Sequence, residues 1–216
     1  MAETFFINPD NPDAQSINRA ARTLASGGVA VIPTSGLYGL AADAYNSAAV
    51  EKVFALKGRM QEKSLLLLVQ NLDEVKTLVD EFGPQAQKLA ESFWPGRLTL
   101  VLAASKNAPQ GLVSPQGGIG VRLVAHPVAR ALIKALGRPV TGTSANPSGL
   151  PAPWDAAQLD AGIRKGADII LDAGALAGGP GSSVVDLCGP LPRLLREGAV
   201  SRKAICRALG MDIFPA

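Results

Sequence analysis

The stretch Pro127-Val128-Ala129-Arg130-Ala131-Leu132-Ile133-Lys134-Ala135-Leu136-Gly137-Arg138-Pro139-Val140-Thr141-Gly142-Thr143-Ser144-Ala145-Asn146 reads as a helix followed by a strand. Proline suits a first helical turn, where its missing N–H would have no partner, and Val128, Leu132, Ile133 and Leu136 recur at helical spacing. Gly137 can end the helix. Val140 to Thr143 can then form a strand that runs straight into Ser144-Ala145-Asn146.

The same alternation continues in both directions. Strands are predicted at Ile119 to Leu123 and, after the Trp94-Pro95-Gly96 turn, at Leu98 to Ala103. Helical patterns cover Leu72 to Phe82 and Pro84 to Phe93, and Leu65 to Val69 reads as a buried strand. Asn46 or Ser47 can cap a helix with Val50, Val53 and Phe54 on one face, ending near Lys57-Gly58. Gly27-Gly28 introduces a strand at Val29 to Ile32, closed by Pro33. Downstream, a helix is predicted near Trp154 to Leu159, strands near Ile169 to Leu171, Ser183 to Leu187 and Leu194 to Leu195, and a closing helix from Ser201. This alternation predicts an α/β (α+β) fold.

A chain of 216 residues with 47% hydrophobic content can bury a large core, and one domain spanning residues 1–216 is expected. The 23 Gly and 16 Pro are spread through turns and mark no linker. A net charge of +3 is too small to imply wrapping of nucleic acid, although it suits anionic ligands. A pI near 9.0 leaves a non-catalytic RNA-binding protein as the rival in another class. Cys188 and Cys206 lie too far apart for a local metal pair, so free buried thiols are expected. Met1 to Pro9 shows no signal-peptide pattern, and Leu65 to Val69 is far shorter than a membrane span; a cytoplasmic protein with no membrane contact is expected.

Standard nucleotide motifs are missing. No G-x-x-x-x-G-K-[ST] occurs, and Gly118-Ile119-Gly120 continues into Val121-Arg122, away from a dinucleotide fingerprint. His126 is the sole histidine and precedes a proline at a helix start, where a capping role fits better than catalysis. Lys57-Gly58-Arg59 can aim an ammonium and a guanidinium at one polyanion, or can simply complement a helix C-terminus. Ser144-Ala145-Asn146-Pro147-Ser148-Gly149 offers neutral donors after a strand end, or an ordinary Asn-Pro turn. Arg122 sits among Ile119, Val121, Leu123 and Val124, and an arginine buried there needs an anion or hydrogen-bonding partner. Pro33 to Leu40 forms a glycine-rich turn after a strand. Ser182-Ser183 and Arg196 add hydroxyls and a cation.

In this order, the segments resemble the YrdC family of carbamoylating, ATP-using proteins, from about Gly27 to Val200. The matching stretches are Pro33-Thr34 with Tyr38-Gly39-Leu40, Lys57-Gly58-Arg59, Trp94-Pro95-Gly96 with Leu98-Thr99, Val121-Arg122 with His126-Pro127, Ser144-Ala145-Asn146 with Ser148-Gly149, and Ser183-Val184-Val185-Asp186-Leu187. The sequence departs from the family pattern at Gly36, Met60, Ser64, Arg97 and Glu197. Its opening Phe5-Phe6-Ile7-Asn8-Pro9-Asp10-Asn11-Pro12 is similar to the YciO branch, whereas the Ser-Ala-Asn-x-Ser-Gly stretch is similar to the synthase branch.

The resemblance implies a twisted mixed sheet flanked by helices around a large basic concave site, in a short form without an extra C-terminal domain. It implies a threonylcarbamoyl-AMP synthase, a nucleotidyltransferase that uses L-threonine, bicarbonate and ATP and serves downstream tRNA-modifying transferase proteins, with direct tRNA contact open. A YciO-like enzyme acting on a nucleotide with a different acceptor is the related alternative. By motif position, Lys57, Arg59, Ser144, Asn146 and Arg196 would bind ATP, with Lys57 and Arg59 closest to catalysis. Thr34, Arg122, Gly142 and Ser182 would surround threonine. Mg2+ would arrive on the ATP phosphates, with no resident metal site.

Overall fold

The computed structural model describes residues 2–58 and 65–215. Its strands are β1 (Glu3–Phe6), β2 (Ala30–Pro33), β3 (Tyr38–Ala41), β4 (Leu66–Val69), β5 (Leu98–Ala103), β6 (Gly118–Leu123), β7 (Val140–Ser144), β8 (Ile169–Asp172), β9 (Ser183–Asp186), β10 (Arg193–Arg196) and β11 (Phe214–Pro215). The helices are α1 (Ala14–Ala25), α2 (Ser47–Lys57), α3 (Leu72–Leu78), α4 (Pro84–Phe93), α5 (Pro127–Leu136), α6 (Ala161–Gly166) and α7 (Arg202–Leu209). Among the described residues the strands form one mixed sheet in the order β1-β8-β2-β3-β7-β4-β6-β5-β9-β10-β11. The parallel pair β4–β6 sits beside the antiparallel pairs β4–β7 and β5–β6.

Local chemistry explains most boundaries. The Asn46 side chain accepts from the Ala49 N–H at 3.1 Å and starts α2, which ends at Gly58 in the left-handed conformation. The His126 ring accepts from the Val128 N–H at 3.3 Å at the head of α5, the capping role its position implied, and Gly137 ends that helix with φ 74°.

Other expectations need correction. The helix expected to reach Phe82 stops at Leu78, because Val79 turns extended and bridges Ala104. No helix spans Trp154 to Leu159. Asp155 caps only a three-residue 3-10 turn at Ala156–Gln158, and Asp160 then starts α6 by accepting from the Gly162 and Ile163 N–H groups. The structure adds β1, α1, β3 and β11, none of which the sequence reading assigned. The thiols are free, but Cys188 is exposed and Cys206 only partly buried, so neither is the enclosed thiol expected.

Strand alternation splits the sheet into two unlike faces. One face is apolar along its length: Val31, Leu40, Leu67, Leu98, Leu100, Ile119, Val121, Val185 and Leu194 join side chains of α2, α3, α4, α6 and α7 in a single core. On the other face, α1 and α5 cover Ala30, Ile32, Leu68, Val140, Ile169 and Leu171 with Ile17, Leu24, Val128 and Leu132. That cover does not extend over β6, β5, β9 and β10. Among the described residues no helix is long and apolar enough to cross a membrane.

Candidate active site

The uncovered part of the second face is the floor of a cavity of about 900 Å³. Successive same-face positions of β6, Gly118, Gly120 and Arg122, form its centre line, flanked by Thr99 and Val101 of β5, Leu66 and Leu68 of β4, and Val184 and Asp186 of β9. Gly142 of β7 lies opposite Leu66. A side chain at Gly142 would start 2.5 Å from Leu66 Cδ1 and 2.8 Å from Leu68 Cγ, so only glycine leaves both leucines where they are.

Thr34, Arg122, Gly142, Ser144, Asn146, Ser182 and Arg196 all line this cavity, drawn together from β2 to β10. Thr34 follows β2, and its hydroxyl donates to the Leu37 carbonyl at 2.6 Å, tightening the turn before β3. Ser182 immediately precedes β9 and shares a hydroxyl–hydroxyl hydrogen bond of 2.9 Å with the buried Thr99. Arg196 of β10 forks back onto Ser182, with Nε and Nη2 donating to its carbonyl at 3.0 and 2.7 Å.

Arg122 is buried, 8% exposed, as its apolar flanks implied. Its Nε donates to the Gly96 carbonyl at 2.8 Å and its Nη2 to Ser35 Oγ at 3.0 Å, both neutral acceptors. No carboxylate pairs with it among the described residues. Burial, with Arg97 and Arg196 nearby, pulls its pKa down to about 10. A guanidinium with that surplus of positive neighbours remains charged at neutral pH and attracts an anion.

Lys57, expected at the end of a helix, closes α2 there, is 3% exposed and is not among the described residues lining the cavity. Its ammonium donates to the Ser144 carbonyl at 2.6 Å and the Asn146 carbonyl at 2.8 Å, with Asn146 Oδ1 at 3.3 Å. It therefore holds the Ser144–Asn146 corner. Arg59, Met60 and Ser64 lie outside the described residues.

Several lining groups lie outside the set expected from the sequence. Thr99 was visible as a lone hydroxyl between Leu98 and Leu100, on the same face as Arg122. At the far end of β6, Ser114, Gln116 and Cys188 surround Gly118, beside the Asp186–Arg193 ion pair of 2.8 Å. Burial acts to raise the Asp186 pKa, but hydrogen bonds from Arg193 and the Cys188 N–H hold the carboxyl below its ordinary value. Although Cys188 as a residue is exposed, partial burial of its thiol against Gly118 and the neighbouring Asp186 push its pKa up to about 12, which disfavours the thiolate near neutrality. Two of the departures from the family pattern, Gly36 and Arg97, prove to be in contact: a Cβ on Gly36 would fall 3.1 Å from the Arg97 guanidinium.

Comparison with known proteins gives the family. The Sua5_yciO_yrdC family, described as "Telomere recombination", matches residues 22–198. The Pyrococcus abyssi protein named threonylcarbamoyl-AMP synthase is 34% identical over 93% of this chain, which spans 59% of that longer relative. A Xanthomonas euvesicatoria protein of the same name is 34% identical over 76% of this chain and 90% of its own length. The crystal structure of P. abyssi Sua5 complexed with L-threonine superposes with TM-score 0.90 at 31% identity, covering 98% of this chain and 62% of that one. Escherichia coli YciO superposes with TM-score 0.87 at 29% identity, covering 95% of this chain and all of that one. Residues 22–198 include every described residue that lines the cavity, and on the strength of that family match the chain belongs to the Sua5/YciO/YrdC family.

Proposed function

We propose that this protein is a threonylcarbamoyl-AMP synthase, making threonylcarbamoyl-AMP and pyrophosphate from L-threonine, bicarbonate and ATP for a tRNA-modifying transferase. The observation that carries the reading is the buried Arg122 guanidinium, which faces a large cavity with only neutral described acceptors. Threonine's carboxylate, or the carbamate made on its amine, supplies the missing anion. Thr34, Ser182 and the Gly142 backbone complete that end of the cavity.

Bicarbonate takes up a proton and loses water to give CO2, and the deprotonated threonine amine adds to that CO2 and releases one proton to become a carbamate. A carbamate oxygen then attacks the α-phosphorus of ATP, forming one P–O bond while the bond to pyrophosphate breaks. Both reactants are anionic, so positioning and charge neutralisation matter more than a protein nucleophile. Arg196, Ser144 and Asn146 serve the phosphates. Lys57 acts on them through the Ser144–Asn146 corner that it supports, and Arg59 is the proposed partner from the segment outside the described residues. Magnesium enters with ATP, since the one carboxylate among the described lining residues, Asp186, is already paired with Arg193.

A second reading, an enzyme with another acceptor in place of threonine, draws on the likeness to YciO over its full length. Pyrophosphate release from ATP, measured with and without threonine and bicarbonate, tests the proposal. Release that needs both substrates supports the synthase.

A further inference from the structure

Residues 173–182, between β8 and β9, carry no regular structure and cross the amino-acid end of the cavity as a strap. Its start is tied to Tyr38, whose hydroxyl donates to the Gly174 carbonyl at 2.7 Å and accepts from the Ala173 N–H at 3.0 Å. The Leu176 N–H donates to the Trp154 carbonyl at 2.7 Å. Its end enters the cavity as Gly181 and Ser182. Between these points the strap passes directly over the turn that holds Thr34.

That crossing is held by Gly36 and Arg97. The Gly178 N–H donates to the Gly36 carbonyl at 2.9 Å, and Gly36 adopts φ 146°, a conformation that side chains other than hydrogen rarely tolerate. A Cβ there would lie 2.8 Å from the Gly178 carbonyl oxygen. Arg97 Nη2 donates to that same carbonyl at 3.1 Å and also to the Pro180 carbonyl. One guanidinium thus fastens two points of the strap to the end of the Trp94-Pro95-Gly96 turn. Arg122 holds the neighbouring Ser35 from within the cavity.

We propose that Arg97 is a positioning residue for the amino-acid substrate: it clasps the strap to the Gly36 turn and so fixes Ser182 relative to Thr34. Arg97 does not itself line the cavity, so it acts through these two walls. The inference rests on the reading of this end of the cavity as the threonine site, and it assigns specificity to a contact remote from the phosphates.

The test combines equilibrium binding of L-threonine and of ATP with amide hydrogen exchange on the strap, in wild type, Arg97→Ala, Arg97→Lys and Gly36→Ala. Arg97→Ala is expected to speed exchange across residues 176–181 and weaken threonine on the order of tenfold, with ATP affinity within about twofold. Arg97→Lys, whose ammonium can still reach a carbonyl, is expected to recover much of the affinity. Gly36→Ala should reproduce the threonine-selective loss with the guanidinium intact. Faster exchange with unchanged threonine affinity, or equal loss of both ligands, would overturn the proposal. If wild type binds no threonine, the reading of the cavity fails, and unchanged exchange in Arg97→Ala would separately overturn the clasp.

Discussion

The two halves of one sheet face make opposite uses of the same strand alternation. Under α1 and α5 the inward positions are Ala30, Ile32, Val140, Ile169 and Leu171, all fully buried. Across the uncovered half they are Gly118, Gly120, Arg122, Thr99 and Asp186. Both halves share their opposite face, which is one continuous core, so backbone support for the cavity comes from behind. The covered half contributes burial, and the open half is free to carry glycines and a poorly compensated cation.

Substitutions should separate these roles. Leu132→Ala, at the fully buried contact of α5 with the covered half, should cost about 2–5 kcal/mol of unfolding free energy through lost burial and a residual cavity. Chemical denaturation would read this loss, and the folded fraction should still bind ligand. A comparable loss of ligand affinity in the folded fraction would break the division between the halves.

Arg122→Lys should have a smaller energetic effect confined to one ligand. Lysine keeps a charge but cannot replace the planar fork, so threonine binding should weaken by about 2 kcal/mol, with ATP affinity much less changed. Calorimetry with each ligand separately would check it. Equal losses would mean that Arg122 supports the floor as a whole.

His126 gives the smallest effect, at the head of α5. Burial lowers its pKa below the ordinary 6.5, with Asp10 opposing the shift. The cap uses the unprotonated ring, and the unfolded chain takes up the proton more readily. Stability is therefore complete above about pH 6.5 and declines as pH falls toward and through the lower folded value. His126→Asn keeps a capping oxygen without that titration, so its melting temperature should fall less than wild type between about pH 7.5 and 5.5. Identical pH profiles would remove His126 from the account.

The legible parts of this molecule were those governed by near neighbours. Asn46, Pro127 and Gly137 set helix ends within a few residues, and the apolar flanks of Arg122 correctly implied its burial. Helix α1 was legible but missed: Asp13 caps it, and Ile17, Ala20, Ala21 and Leu24 recur on one face. Lys57 was different in kind. Its carbonyl acceptors lie 87 and 89 residues away, and nothing around Lys57-Gly58 foretells an ammonium that holds this loop. The Gly36–Arg97 contact was hidden for the same reason, since it exists only once β2 and β5 bring their ends to one cavity.

The most direct test of the account is pyrophosphate release from ATP by the purified protein, with threonine and bicarbonate each supplied or withheld. The account predicts release only when both are present, together with a threonylcarbamoyl adenylate product detectable by mass spectrometry. Release indifferent to threonine, or requiring a different acceptor in its place, would contradict it.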